Sequence, residues 1–309
     1  MNILQQPCLQ LCTLYDASPH YGHILIDGPD ATAFLHRLTS NDVKELPVGQ
    51  GHFNSLLTHK GKVLSLFYLF RESPEKFMIF VPKDILDKTL TLLTKMKFRE
   101  KITLKNISAE RELFFLIGAN APLEAQKLTN PQLIKTPECF DDTPYIMISY
   151  PSELKKDVFP HLAHLPSFSE EAFEVLRVLS RFPKYGIDLT EDNILLESPV
   201  PIAYKRQKGC YPGQEVIERI SAYGKGRTPT VLSLLSCEGS QSFPTGTPIT
   251  SGENTAGHVT SAVFDPLNEK TWVLGYVEQK FISENSCFNV GAGSPRPESY
   301  HPIEIKLVS

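Results

Sequence analysis

The residues best suited to chemistry lie in one run, Lys208-Gly209-Cys210-Tyr211-Pro212-Gly213-Gln214-Glu215, with Arg219 following. Two glycines and a proline within five residues dictate a sharp turn and let the backbone approach another group closely. Cys210 stands two residues after Lys208 and just ahead of a predicted short helix. A nearby ammonium and a helix N-terminus both favour thiolate, the nucleophilic form of cysteine. Gln214, Glu215 and Arg219 are placed to form a polar network that holds the turn. The competing reading makes Cys210 a buried small hydrophobe, and residue chemistry alone leaves both open.

Other constellations are weaker. His20, His23, His36, His52 and His59 are scattered without metal-ligand spacing. Cys8-x-x-x-Cys12 can share a helix face, but Pro7 and the terminal position favour fraying. Reduced structural thiols and no stably bound metal are therefore expected. Gly291-Ala292-Gly293 precedes no helix and does not read as a nucleotide loop. No Ser-His-Asp signature is present locally.

The elements that must position these residues follow from periodicity. A strand over 23–27 leads through Gly28-Pro29-Asp30 into a helix whose Ala31, Phe34, Leu35 and Leu38 share one face. Ser40-Asn41-Asp42 ends it, and Thr58-His59-Lys60-Gly61-Lys62 reads as the turn between strands 53–57 and 63–70. Strands at 77–81, 102–107, 113–117 and 145–150 alternate with helices beginning at Pro82 and Pro122. Ser167 and Glu170 form a capping-box pair ahead of a helix that turns Ala172, Val175, Leu176 and Leu179 inward. This mixture with hairpins predicts an α+β sandwich. After Arg227, short strands at 230–237, 247–250, 258–264, 271–277, 287–290 and 303–308 predict a small antiparallel barrel. The expected domains are 1–226, holding two α+β subdomains, and 227–309.

The 309 residues carry 31 Lys+Arg against 35 Asp+Glu, a formal charge of −4, and 41% are hydrophobic. That balance disfavours binding nucleic acid through bulk positive charge. No run approaches the ~20 apolar residues of a membrane span. The first basic residue is Arg37, so no secretory or transit signal is expected, and the six cysteines include no C-x-x-C pair. A cytoplasmic protein without membrane association is the resulting expectation.

The run K-G-C-Y-x-G-Q-E with Arg219 resembles the signature of the YgfZ/Iba57 family, relatives of the glycine cleavage T-protein. Further blocks follow in the same order. They are Gly28-Pro29-Asp30-Ala31 with Phe34-Leu35, Thr39-Ser40-Asn41-Asp42-Val43, His59-Lys60-Gly61-Lys62, Phe182-Pro183, Gly186-Ile187-Asp188 and Gly257-His258-Val259-Thr260-Ser261-Ala262. The resemblance implies a T-protein-like (aminomethyltransferase) folate-binding region, a C-terminal β-barrel, and three modules around a central hole. It also implies a tetrahydrofolate cofactor and a role in iron–sulfur cluster assembly or repair that affects tRNA-modifying enzymes. The expected partners are assembly factors or client enzymes, with Cys210 as key thiol and Lys208 beside it. Gly209, Tyr211, Gly213, Gln214, Glu215 and Arg219 would support the motif.

By the same resemblance Tyr21 and Phe173 flank the pterin, and Arg227 or Lys225 is available as a cation for the glutamate tail. Relatives that transfer one-carbon units carry an acidic residue just after the equivalent of Lys60-Gly61. Here Lys62-Val63-Leu64-Ser65-Leu66 follow, and Leu179 stands where many relatives have Glu. Aminomethyl transfer is therefore disfavoured, and enzymatic turnover is not the leading expectation. The alternative is a tetrahydrofolate-dependent one-carbon transferase using another acid, Asp42 or Asp188. A third reading, direct tRNA binding, would use Lys205, Arg206, Lys208, Lys225 and Arg227.

Overall fold

A computed structural model describes residues 11–130, 134–140, 143–198, 200, 203–223, 227–283, 286–291 and 303–308. The described residues fall into two compact units, within 4–169 and 202–214 and within 170–201 and 215–309. In chain order the first contains β1 (Thr13–Asp16), β2 (Tyr21–Asp27), α1 (Ala31–Leu38), β3 (Gly51–Leu57), β4 (Val63–Arg71) and β5 (Lys76–Pro82). Then come α2 (Leu86–Met96), β6 (Thr103–Asn106), β7 (Arg111–Ile117), α3 (Ala121–Lys127), β8 (Ile134–Phe140), β9 (Thr143–Pro151) and α4 (Lys155–Val158).

These strands form a five-stranded sheet, β3-β4-β5-β2-β6, and a four-stranded sheet, β1-β7-β9-β8. Every ladder is antiparallel, as the hairpin-rich pattern predicts. One face of the smaller sheet packs Leu14, Phe114, Leu116, Ile146, Ile148 and Tyr150 against Ala121 and Ala125 of α3. The two sheets also meet: Tyr21 of β2 lies 5.7 Å from Phe115 of β7, and His23 Nε2 lies 3.0 Å from Ser149 Oγ of β9.

Helix α1 forms because its buried Ala31, Phe34, Leu35 and Leu38 make one apolar stripe. It stops at Thr39, whose extended backbone lets its hydroxyl donate to the Leu35 carbonyl at 2.8 Å. That stop delivers Ser40-Asn41-Asp42 directly to the edge of β3.

The second unit contains α5 (Glu170–Leu179), α6 (Gln214–Tyr223, its first residue belonging to the other unit) and six strands. These are β10 (Thr230–Glu238), β11 (Pro248–Ser251), β12 (Asn254–Asp265), β13 (Lys270–Glu278), β14 (Cys287–Val290) and β15 (Ile303–Leu307). They close as β10-β13-β12-β11-β14-β15 around Leu235, Ile249, Val259, Val273, Phe288, Val290 and Ile305. Closure removes exposed sheet edges, which accounts for six such short strands being stable together.

The capping-box expectation is corrected. Ser167 forms a bridge with Leu14, and α5 begins at Glu170, so Ser167 does not occupy the residue before the helix. The buried side of α5 is also broader than expected: Phe173 and Val175 to Val178 are enclosed, Arg177 among them.

Candidate functional site

The cysteine motif is fastened from two directions within the first unit. On one side, Lys205 N donates to the Ser40 carbonyl at 3.1 Å, and Ser40 Oγ donates to the Ala203 carbonyl at 2.5 Å. Ser40 Oγ also lies 2.7 Å from Ser55 Oγ, while Asn54 Oδ1 accepts the Asn41 amide at 2.8 Å. The polar block that ends α1 is thus stitched to β3 and to the chain entering the motif. A run of buried hydroxyls and amides is stable there because each finds a partner.

On the other side, Gly213 sits at φ +82° against the β3–β4 hairpin. A Cβ at this position would come within 2.5 Å of the Thr58 carbonyl oxygen and 2.9 Å of Gly61 Cα. Two blocks far apart in sequence, around Gly61 and Gly213, therefore meet backbone to backbone. Gly209 has φ +110°, so the motif reverses direction around Cys210 with a glycine on either flank. Cys210 is exposed, which decides against its reading as a buried hydrophobe.

Lys208 is only 8% exposed, so the ammonium expected to lie open beside the thiol is instead enclosed. Its Nζ donates to the His36 carbonyl and stands 4.9 Å from the centre of the Tyr211 ring. Burial brings its pKa down to about 8, against the opposing pull of Asp42. His36 Nε2 donates in return to the Lys208 carbonyl at 2.9 Å, and His36 Nδ1 lies 3.3 Å from Asp42 Oδ1. Burial likewise lowers His36 and takes His52 down to about 4, with Lys208 acting in the same direction. Two histidines that look scattered in sequence thus share the surroundings of Asp42 and Lys208. Among the described residues no group of three or more His, Cys, Asp or Glu is arranged to hold a metal.

Gln214 N donates to the Tyr211 carbonyl at 3.2 Å, closing the turn. Glu215 and Arg219 form a solvent-exposed pair one helical turn apart at 2.8 Å, so the expected turn-holding network is a surface contact on α6. Tyr21 belongs to the first unit and Phe173 and Arg227 to the second. Tyr21 is half-buried, Arg227 exposed, and Phe173 only 7% exposed. The basic cluster loses Lys208 to burial, while Lys205 and Arg206 remain exposed. Lys225, Gly226, Cys8 and Ala292-Gly293 lie outside the described residues. Cys12 is a core thiol, 3% exposed.

Of the two alternative acids, Asp188 is unavailable. It is fully buried in the second unit, where Oδ2 accepts Arg177 Nη1 at 2.6 Å and the Lys184 amide at 2.9 Å. Oδ1 accepts Thr260 Oγ1 at 2.5 Å and Ser261 Oγ at 2.7 Å. Neighbouring strand residues normally face opposite ways, but the register of β12 shifts between Val259 and Ser261. That irregularity brings both hydroxyls to one oxygen. Arg177 is also paired with Glu174, although its helical position reads in the sequence as ordinary surface charge. Asp42 is only partly enclosed, and its Oδ1 accepts the amides of Lys44 at 3.0 Å and Glu45 at 3.2 Å.

The chain superposes on the crystal structure of glycine cleavage system aminomethyltransferase T from Bartonella henselae with TM-score 0.81 and 19% identity. The match covers 98% of this chain and 86% of that one. The fold is that of the glycine cleavage T protein. Residues 7–139 match the GCVT N-terminal domain. Among curated sequences, this T-protein-like chain is 27% identical over 288 residues to an aminomethyltransferase of Thermus thermophilus, covering 86% of this chain and 79% of that protein. It is 25% identical over 301 residues to an aminomethyltransferase of Desulfitobacterium hafniense, covering 90% and 81%.

Proposed function

We propose that this T-protein-like chain binds tetrahydrofolate or a derivative and works through the Cys210 thiol. In this reading it assists iron–sulfur cluster assembly or repair, with client enzymes that include tRNA-modifying ones. The observation that carries it is the exposed Cys210 on a turn fastened to both Ser40 and the Thr58–Gly61 hairpin. A thiol held in the open by its backbone suits transient ligand or sulfur chemistry better than a packing role.

For the pterin, this reading rests on Tyr21. Tyr21 retains a partly open ring beside Phe115. Phe173 is too enclosed to offer a ring face and is better read as core. When bound, the folate supplies a carrier for a one-carbon unit.

A second reading, tetrahydrofolate-dependent aminomethyl transfer, is the one favoured by the names of the similar proteins. Against it, the residues after Gly61 remain Lys62 to Leu66 with no carboxylate, and Asp188 is committed to its buried partners. Asp42 is the acid it would have to use.

One experiment separates the two. The protein is purified anaerobically, titrated with tetrahydrofolate by calorimetry, and assayed for methylene-tetrahydrofolate turnover with an amine donor. Cells lacking the gene are tested in parallel for iron–sulfur enzyme activity with wild-type and Cys210→Ala copies. Folate binding without turnover, and failure of Cys210→Ala to restore activity, support the first reading. Turnover that persists in Cys210→Ala and falls in Asp42→Asn establishes the second.

A further inference from the structure

We infer that His36 is the positioning residue of the Cys210 turn, through a reciprocal pair of hydrogen bonds with Lys208. The inference rests on Cys210 being the working thiol only for its functional meaning; the latch itself is a matter of geometry.

The last turn of α1 and the motif exchange main-chain acceptors. Lys208 Nζ donates to the His36 carbonyl, and His36 Nε2 donates to the Lys208 carbonyl at 2.9 Å. Each residue thus uses its side chain on the other's backbone, closing a ring between elements 172 positions apart in sequence. Both residues are enclosed, at 8% exposure each, so water replaces neither bond at low cost. The Lys208 carbonyl belongs to the peptide that enters Gly209, whose missing Cβ would lie 3.7 Å from His36 Nε2. His36 therefore bears on the Lys208–Gly209 peptide, bonded to the Lys208 carbonyl and lying beside the open face of Gly209. A carbonyl only accepts, so the ring must carry a proton on Nε2, and Asp42 Oδ1 at 3.3 Å from Nδ1 is placed to accept a second proton on the other nitrogen. Lysine alone at position 208 cannot hold the turn in this way, because its ammonium anchors the side chain and not the peptide.

The test begins on the unaltered protein. Nitrogen-15 NMR of the histidine rings is expected to show His36 with a proton on Nε2 near neutral pH, as the neutral Nε2–H form or the imidazolium, and the neutral Nδ1–H form would overturn the inference. Next, His36→Leu removes the donor, and His36→Gln replaces it with an amide N–H. Hydrogen exchange at the amides of residues 208–211 should accelerate about tenfold in His36→Leu, the factor expected for one lost buried hydrogen bond. In His36→Gln it should return to within about threefold of the parent. Iodoacetamide alkylation of Cys210, mapped by mass spectrometry, should change by at least about threefold in the leucine variant and recover with glutamine. Unchanged exchange and alkylation in His36→Leu would overturn the latch whatever Cys210 does in cells. A latch that passes these tests beside a fully functional Cys210→Ala would instead remove the proposed role of the thiol.

Discussion

Gly213 and Thr58 are 155 positions apart in sequence, yet a single added carbon on Gly213 would stand 2.5 Å from the Thr58 carbonyl oxygen. The glycine is required twice, for this approach and for its φ of +82°. Gly213→Ala is expected to destabilise the protein by at least ~1–3 kcal/mol from backbone conformation alone. Chemical denaturation measures the loss. Wild-type stability in this variant would mean that the turn and the hairpin are not pressed together.

The Arg177–Asp188 pair gives a second expectation. Asp188→Ala leaves an almost fully enclosed guanidinium with Glu174 as its remaining carboxylate, and should cost ~3–5 kcal/mol. Replacing both charges, as Arg177→Met with Asp188→Leu, should recover part of that loss. Additive losses in the double variant would show that the two charges do not depend on each other.

Acid sensitivity follows from His23. The ring is 1% exposed, and burial, helped by Arg111 and Lys83, lowers its pKa from 6.5 to about 3. A depressed histidine pKa means that the unfolded chain binds the proton more readily. The stabilising contribution is complete above pH 6.5 and drains away as pH falls toward 3, by about 1.4 kcal/mol per unit. Unfolding free energies measured between pH 7 and 4 should show this slope, and His23→Gln should be shallower. Equal slopes in the two proteins would contradict a buried neutral His23.

Thiol selectivity is the fourth expectation. Burial raises Cys12 to about 12 and also raises Cys237, while a hydrogen bond with Glu304 raises the exposed Cys287. Limiting iodoacetamide at pH 8 should therefore modify the Cys210 peptide ahead of the peptides of Cys12, Cys237 and Cys287. Peptide mass spectrometry reads the order, and faster labelling of Cys287 would remove the distinction drawn for Cys210.

Much of this architecture is local and was legible in the chain. The apolar spacing of Ala31, Phe34, Leu35 and Leu38 determines α1, and alternation between turn residues determines the six barrel strands. The motif glycines likewise announce a turn, because only glycine enters φ above zero without strain. The tertiary structure decided what local pattern cannot encode. Lys208 reads as a surface ammonium near a thiol, and only the arrival of His36 and Tyr211 shows that it is buried. Arg177 reads as a surface charge on an amphipathic helix until Asp188 and Ser261 are brought to it. Charge and size are properties of a residue. Enclosure and hydrogen-bond partners belong to the chain segments packed around it, and here those come from up to 172 positions away.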